Sequence, residues 1–400
     1  MRLRNPAKVL AIFSAALALA GGVAGADPLV GKRAAPNEKP VSVPITMHGV
    51  YVYVPVRLNG KPATFVLDSG AGMNVVTPEA ARRLGIAPDP RKADVIGAGG
   101  AAASASMARI DRLEVGETKL SGQPAVVIPL PEVLACDGLL GAGFFHQWVV
   151  TVDYAGSRLV LTRPGSFTPP PDAEVFPIKL IGETPHIAAD ADGCQGWFQI
   201  DSGAGSALTL FRPFVETNGL RGRYSPSIET VVGRGVGGLM YGDVVRLPVF
   251  SIGKFTFRQS VATLSRQTSG AFARSDVAGN LGGEILRRFT ITFDYANLKV
   301  YMTPNGLYDR PFHYNRTGVA IDYEKGRFLV RAVLPDSPGS EAGVKVNDVI
   351  LAIDDRPAAE IKPWETGDLS ERNPGTKVRL KLRTMDGSVR DVTLTLRDLL

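Results

Sequence analysis

Apolar and polar positions alternate through residues 41–58, and Asn59-Gly60 predicts a hairpin turn into a second strand that ends at Asp68. Residues 77–85 break that period. Thr77 stands as an N-cap, Pro78 at the first helical position and Gly85 at the close, so a short helix is expected. An apolar run at 125–130 and predicted strands at 148–154 and 158–162 complete this stretch. Residues 167–172 contain Pro169-Pro170-Pro171, which reads as a stiff linker. The plan then recurs, with strands expected at 174–181, 186–190, 289–295 and 298–302. A different unit starts after Asn305-Gly306 and Pro311. Its strands fall at 328–334 and 348–354, and a last hairpin, 376–383 with 388–396, turns at Asp386-Gly387.

The recurrence is also one of residues. Phe65-Val66-Leu67-Asp68-Ser69-Gly70-Ala71-Gly72 is matched by Phe198-Gln199-Ile200-Asp201-Ser202-Gly203-Ala204-Gly205, at an offset of 133. Each is an apolar strand that stops at Asp-Ser-Gly-Ala-Gly. One such loop alone reads as ordinary turn chemistry, with Asp and Ser bonding their own backbone and Gly supplying positive φ. Two change the reading, because a second matching pair lies downstream. Gly141-Ala142-Gly143-Phe144 through Val152-Asp153-Tyr154 parallels Gly282-Gly283-Glu284-Ile285 through Phe293-Asp294-Tyr295, at an offset of 141. A repeat of this period is a duplicated lobe. A carboxylate ending an apolar strand is costly to bury unless it is hydrogen-bonded or shares its charge. Two facing loops would offer one Asp each.

Composition agrees with short strands and many turns: 44 Gly and 29 Pro among 400 residues. The length allows two or three domains. The net charge of +6 owes half its value to Arg2, Arg4 and Lys8, which precede a twelve-residue apolar stretch, 9–20, and a small-x-small site at Ala24-Gly25-Ala26. Residues 1–26 therefore read as a secretory signal peptide, too short in its apolar part to span a membrane. Its removal leaves +3, which argues against nucleic acid as a partner. The product is expected to be exported, periplasmic or secreted, with no membrane span. Export permits a Cys136–Cys194 disulfide, and two separate buried thiols fit the sequence equally. His48, His146, His186 and His313 make no ligand spacing with either cysteine, so no metal site is indicated.

Two glycine-rich stretches, 97–100 and 233–238, occupy equivalent places in the two halves. Each reads as a mobile hairpin tip or as a plain flexible loop. Gly233-Arg234-Gly235-Val236-Gly237-Gly238 formally matches a dinucleotide loop, but strands rather than a helix are expected after it, so a nucleotide is not.

The Asp68-Ser69-Gly70-Ala71 loop with Leu139-Leu140-Gly141 resembles the retropepsin-like and pepsin-like aspartic proteases. The second half keeps Asp201-Ser202-Gly203-Ala204, with Asn280-Leu281-Gly282 a weaker form of the downstream motif. The resemblance covers about 41–305. The last unit is similar to a bacterial PDZ domain on Gly326-Arg327-Phe328-Leu329, Ser337-Pro338-Gly339-Ser340-Glu341-Ala342-Gly343 and Asn347-Asp348-Val349-Ile350, with Asn347 where Gly is usual and a poor helix at 362–369. What the resemblance implies is a mainly β chain. Two tandem retropepsin-like β-barrel lobes, 27–165 and 173–305, would form a pepsin-like pair, followed by a PDZ domain at 312–400.

It also implies an aspartic endopeptidase. Two carboxylates about 3 Å apart cannot both ionise, and Asp68 and Asp201 would share one proton and activate a water, with no cofactor. Ser69 and Ser202 would brace the loops, Gly70 and Gly203 would offer amides to the carboxylates, and the glycine-rich tips would be flaps over an extended polypeptide substrate. In the PDZ unit, Gly326, Arg327, Phe328 and Leu329 would capture a protein C-terminus. Ala71 and Ala204 stand where pepsin-like enzymes usually carry a hydroxyl that bonds the ionised carboxylate, which implies activity at weakly acidic pH unless other donors replace it. The competing class is a non-catalytic peptide-binding scaffold with a degenerate protease fold. Both loops being intact weighs against it. A serine hydrolase lacks its G-x-S-x-G elbow.

Overall fold

A computed structural model describes residues 17–19 and 39–400. The expected signal segment otherwise lies outside the described residues. The chain is mainly β, in three sheets. In the first sheet, Gly138–Leu140 lies between Lys61–Leu67, to which it is parallel, and Asn74–Val76, to which it is antiparallel. Asn74–Val76 is in turn parallel to Thr118–Val127. The second half repeats this arrangement. Gly279–Leu281 is parallel to Cys194–Ile200 and antiparallel to Leu208–Leu210, which is parallel to Phe255–Ser265. The register repeats as well, with Phe65 opposite Gly138 and Phe198 opposite Gly279. Near-continuous apolar runs suit these strands, because both of their faces are covered.

The helix expected at 77–85 forms as Pro78–Leu84. Thr77 Oγ1 accepts from Ala80 N, and Gly85 closes the helix in the left-handed region. Strands 148–154 and 158–162 behave differently from the expectation that they complete the first half. Val149–Asp153 and Arg158–Thr162 leave the first sheet and join the second half's, through Val149–Asp153 against Phe289–Asp294. Thr151 pairs there with Thr292, their hydroxyls 2.8 Å apart. These residues are equivalent in the repeat, so an approximate twofold axis passes between them. Sequence periodicity cannot reveal this, since an apolar edge pairs equally well with its own half or the other. One apolar core, including Phe144, Phe198, Phe250, Phe289 and Phe293, consequently runs through both halves.

The third sheet runs Val319–Glu324, Arg327–Val333, Val349–Ile353, Lys377–Arg383, Val389–Thr395, with Arg356–Pro357 paired to Val349–Ile353. Asn347 takes φ 72°, the left-handed conformation for which Gly is usual and Asn is tolerated. A helix, Glu365–Glu371, starts after Pro363. This unit is docked on the others. Trp364 stacks on His48 with ring centroids 4.2 Å apart, and Arg246 donates to the carbonyls of Phe312 (2.8 Å) and Leu400 (3.3 Å).

Candidate active site

The two Asp-Ser-Gly-Ala loops meet at the same axis. Ser69 Oγ donates to Ile200 O at 2.8 Å and accepts from Ser202 N at 3.0 Å. Ser202 Oγ reciprocally donates to Leu67 O at 2.8 Å and accepts from Ser69 N at 3.0 Å. Each hydroxyl thus reaches across to the other half's strand end, and all four groups are buried. Buried hydrogen bonds of this kind contribute about 1 kcal/mol each, and leaving one partner unmade costs more. The braces fix the distance between the strand ends that carry Asp68 and Asp201.

Both carboxyls are fully buried, and each sits against the other loop's glycine, so their charges interact directly. Gly70 N donates to Asp68 Oδ1 and Gly203 N to Asp201 Oδ1, each at 2.9 Å. The glycines also admit the opposite carboxyl. A Cβ on Gly70 would lie 2.4 Å from Asp201 Cγ, and one on Gly203 would lie 2.3 Å from Asp68 Cγ. No side chain fits at either place.

The symmetry is broken beside the carboxyls themselves. Asn280 occupies the place that Leu139 holds in the first half, and its Nδ2 donates to Asp201 Oδ2 at 2.7 Å. No donor reaches Asp68 Oδ2 among the described residues. Burial raises both carboxyls. Asp68 goes well above the usual range, through burial first and then the charge of Asp201 beside it, with the Gly70 and Ala71 amides opposing. Asp201 is also raised by burial, but the Asn280 amide, Asp68 and the Gly203 and Ala204 amides hold it down. The Asn280 amide therefore favours the ionised form of Asp201 over that of Asp68. Asn280 supplies to one carboxylate what the absent hydroxyls at 71 and 204 do not. Its only sequence signal is a polar residue in an otherwise apolar motif.

Both glycine-rich tips are hairpins, and they touch. Gly99 N donates to Val236 O at 3.0 Å and Ala101 N to Gly237 O at 3.4 Å, while Gln267 and Ser269 hold the Ala98 and Gly100 carbonyls. Val236 packs in the apolar cluster that contains Ala71, Met73 and Tyr53. Strand Gly238–Ile252 follows the second tip, as the rejection of a nucleotide loop requires. Half-buried Tyr51, which the sequence did not single out, has its hydroxyl raised first by burial and then by Tyr53, Asp201 and Asp68. Arg234 of the second tip reaches the third sheet, donating to Asp322 Oδ2 at 3.0 and 3.1 Å.

Cys136 and Cys194 are separate thiols, and burial pushes Cys136 up to about 12. Gly326, Arg327, Phe328 and Leu329 do not line the cavity described below. Lys325 and Gly326, both with positive φ, make the tight turn between Glu324 and Arg327, and Phe328 is buried in the unit's core beside Tyr323. A cavity of about 450 Å³ lies elsewhere, between Val319–Ile321, the helix Glu365–Glu371 and residues 48–53 of the first half. Among the described residues no group of three or more His, Cys, Asp and Glu side chains converges as metal ligands, and no helix is long and apolar enough to cross a membrane.

Residues 54–144 match the family model for aspartyl protease, and residues 329–384 match that for a PDZ domain. The first match contains Asp68 and stops short of Asp201. Among solved structures, a retropepsin-like aspartic protease from Rickettsia conorii is similar at 17% identity, over 31% of this chain and 89% of that one. Its TM-score is 0.23, a likeness too distant to carry residue roles. No curated protein matches the chain. Residues 54–144 are thus similar to an aspartyl protease domain and residues 329–384 to a PDZ domain.

Proposed function

We propose that the chain is an aspartic endopeptidase that cleaves extended polypeptides with Asp68 and Asp201 as its catalytic pair, aided by a peptide-binding PDZ domain. The observation that carries this reading is the buried, adjacent Asp68 and Asp201 carboxyls on two loops braced across an approximate twofold axis. Two buried carboxyls in contact hold one proton between them, which is the state peptide hydrolysis by this route needs.

Asp201, ionised beside Asn280, takes a proton from a water between the carboxyls as the water's oxygen adds to the peptide carbonyl carbon. Asp68 gives its proton to the carbonyl oxygen, so the intermediate is a neutral gem-diol. Collapse breaks the C–N bond, with the proton gained by Asp201 passing to the leaving nitrogen and a hydroxyl proton returning to Asp68. The Gly70 and Gly203 amides orient the carboxylates. The closed tips cover the reacting bond and offer backbone groups to an extended chain.

Replacing Asp68 or Asp201 by Asn tests this. Each variant is expected to lose at least about 10³-fold in cleavage of unfolded casein, with the double variant no worse, because the residues act as one unit. Near-normal hydrolysis by either single variant would sink the assignment.

A further inference from the structure

The PDZ unit turns its terminal strand, Val319–Glu324, toward the 450 Å³ cavity, with helix Glu365–Glu371 as the opposite wall. A sheet edge facing a helix is the setting in which a peptide is added as a further strand, and here the Glu132–Leu134 turn of the first half borders the same space. What such an edge takes depends on its unclaimed backbone groups. At its N-terminal end a free carboxylate would need a set of open amides. Here none of the three is open. Asn315 Oδ1 accepts from Thr317 N at 2.8 Å, Gly318 N at 3.1 Å and Thr317 Oγ1 at 2.6 Å, and Thr317 Oγ1 in turn accepts from Val319 N at 3.0 Å. Asn315 Nδ2 also donates to Val319 O at 3.0 Å. The neighbouring cation is engaged too, since Arg316 donates to Asp398 at 2.7 Å. Asn315 is buried, so it holds the position a carboxylate would need.

Further along, the edge stays open at one residue. Val330 commits both backbone groups to Asn347 and Asp348 on its far side, so its partner Ile321 turns its own N–H and C=O outward. Tyr323, the next outward residue, has its amide taken by Asp322 Oδ1 at 2.9 Å. The cavity beside Ile321 is lined mainly by apolar groups, among them Tyr53, Leu134, Trp364 and Leu369, with Glu284 and Arg287 at its border. It also touches Gly205–Ala207, directly behind the Asp201 loop.

We propose that this groove binds an internal apolar segment of an extended polypeptide, paired through Ile321, and does not select free C-termini. The source of that segment, a substrate chain, rests on the endopeptidase reading. The groove's preference does not.

The test is equilibrium binding to the full chain carrying Asp68→Asn, so that peptides stay whole. The probes are overlapping 12-residue peptides of β-casein, each made with a free C-terminal carboxylate and as the amide. Acid and amide forms of each binding peptide are expected to agree within about twofold, with binders centred on apolar residues. Gly367→Trp places a ring at the cavity wall, where an added Cβ meets nothing within 4 Å, and is expected to weaken this binding at least tenfold. Asn315→Gly opens the amides and is expected to create a tenfold preference for free acids. A wild-type groove that favours acids tenfold, binding unmoved by Gly367→Trp, or no binding at all would each overturn the proposal. If Asn315→Gly fails to fold, the acid–amide comparison and Gly367→Trp still decide. Casein hydrolysis by the unsubstituted chain tests the catalytic pair separately.

Discussion

The loops at 68–71 and 201–204 have the same residues, the same backbone bonds and reciprocal serine braces, yet their carboxyls are in different environments. Beside Asp68 the motif strand carries Leu139, which donates nothing. Beside Asp201 the equivalent strand carries Asn280, whose amide stabilises a negative charge. The tips differ in the same sense. The first, at 97–101, contacts the second and the 267–269 segment, whereas the second is also anchored through Arg234 to Asp322 on the PDZ edge strand. Duplication brings two acids to one axis, and symmetry alone leaves open which of them keeps the proton. One amide on one side biases that toward Asp68, because a buried hydrogen bond to a charged group is worth about 1.5–3 kcal/mol.

Making the halves alike should have the largest effect. Asn280→Leu copies the first half's residue and removes a group that lowers Asp201. Asp201 then rises further above the usual range and is less ionised in acid, so the acid limb of the rate profile moves to higher pH. A loss of about 10–100-fold is expected at pH 4–5, narrowing toward neutrality, read as kcat/KM on a fluorogenic peptide across pH. Leu139→Asn should act oppositely, favouring ionised Asp68 and bringing the alkaline limb down. Profiles that keep both limbs in place would show that Asn280 does not set the proton's position.

A smaller effect is expected in stability. Asp68 is raised in the folded chain, so relative to an uncharged isostere its contribution is fully present below the unfolded carboxyl range. It is lost progressively as pH rises through the folded value. Asp68→Asn should therefore melt about 1–2 °C above the unsubstituted chain at pH 7, by about 1 kcal/mol, and the gap should close toward pH 4. Scanning calorimetry at the two pH values measures it, and an equal gap at both would contradict the assignment of the proton to Asp68.

The tips should show the smallest difference. Arg234→Ala releases the second tip from Asp322, which retains Arg331 at 3.2 Å. A partly buried ion pair contributes about 1 kcal/mol or less, so KM for a short peptide should rise up to about fivefold with kcat unchanged. A fall in kcat at constant KM would place Arg234 in the chemistry rather than in closure.

Much of this was legible locally. Thr77, Pro78 and Gly85 bound a helix whose caps lie within a few residues of one another, and the spacing of the Asp-Ser-Gly-Ala loops marked a duplication with two equivalent acids. Such features depend on short-range backbone chemistry and on residue identity, which any reader of the chain has in hand. Tertiary structure decided the rest. Thr151 pairs with Thr292 across the axis, although its apolar strand fits either half's sheet. Asn280 reads as a flaw in an apolar motif until the docked strands aim its amide at Asp201. Gly326-Arg327-Phe328-Leu329 looks like a ligand loop, but two positive φ values make a turn of it, and Asn315 fills the amides that matter. Side-chain direction and pairing partner are set by how sheets dock across more than a hundred residues, and no local pattern carries that information.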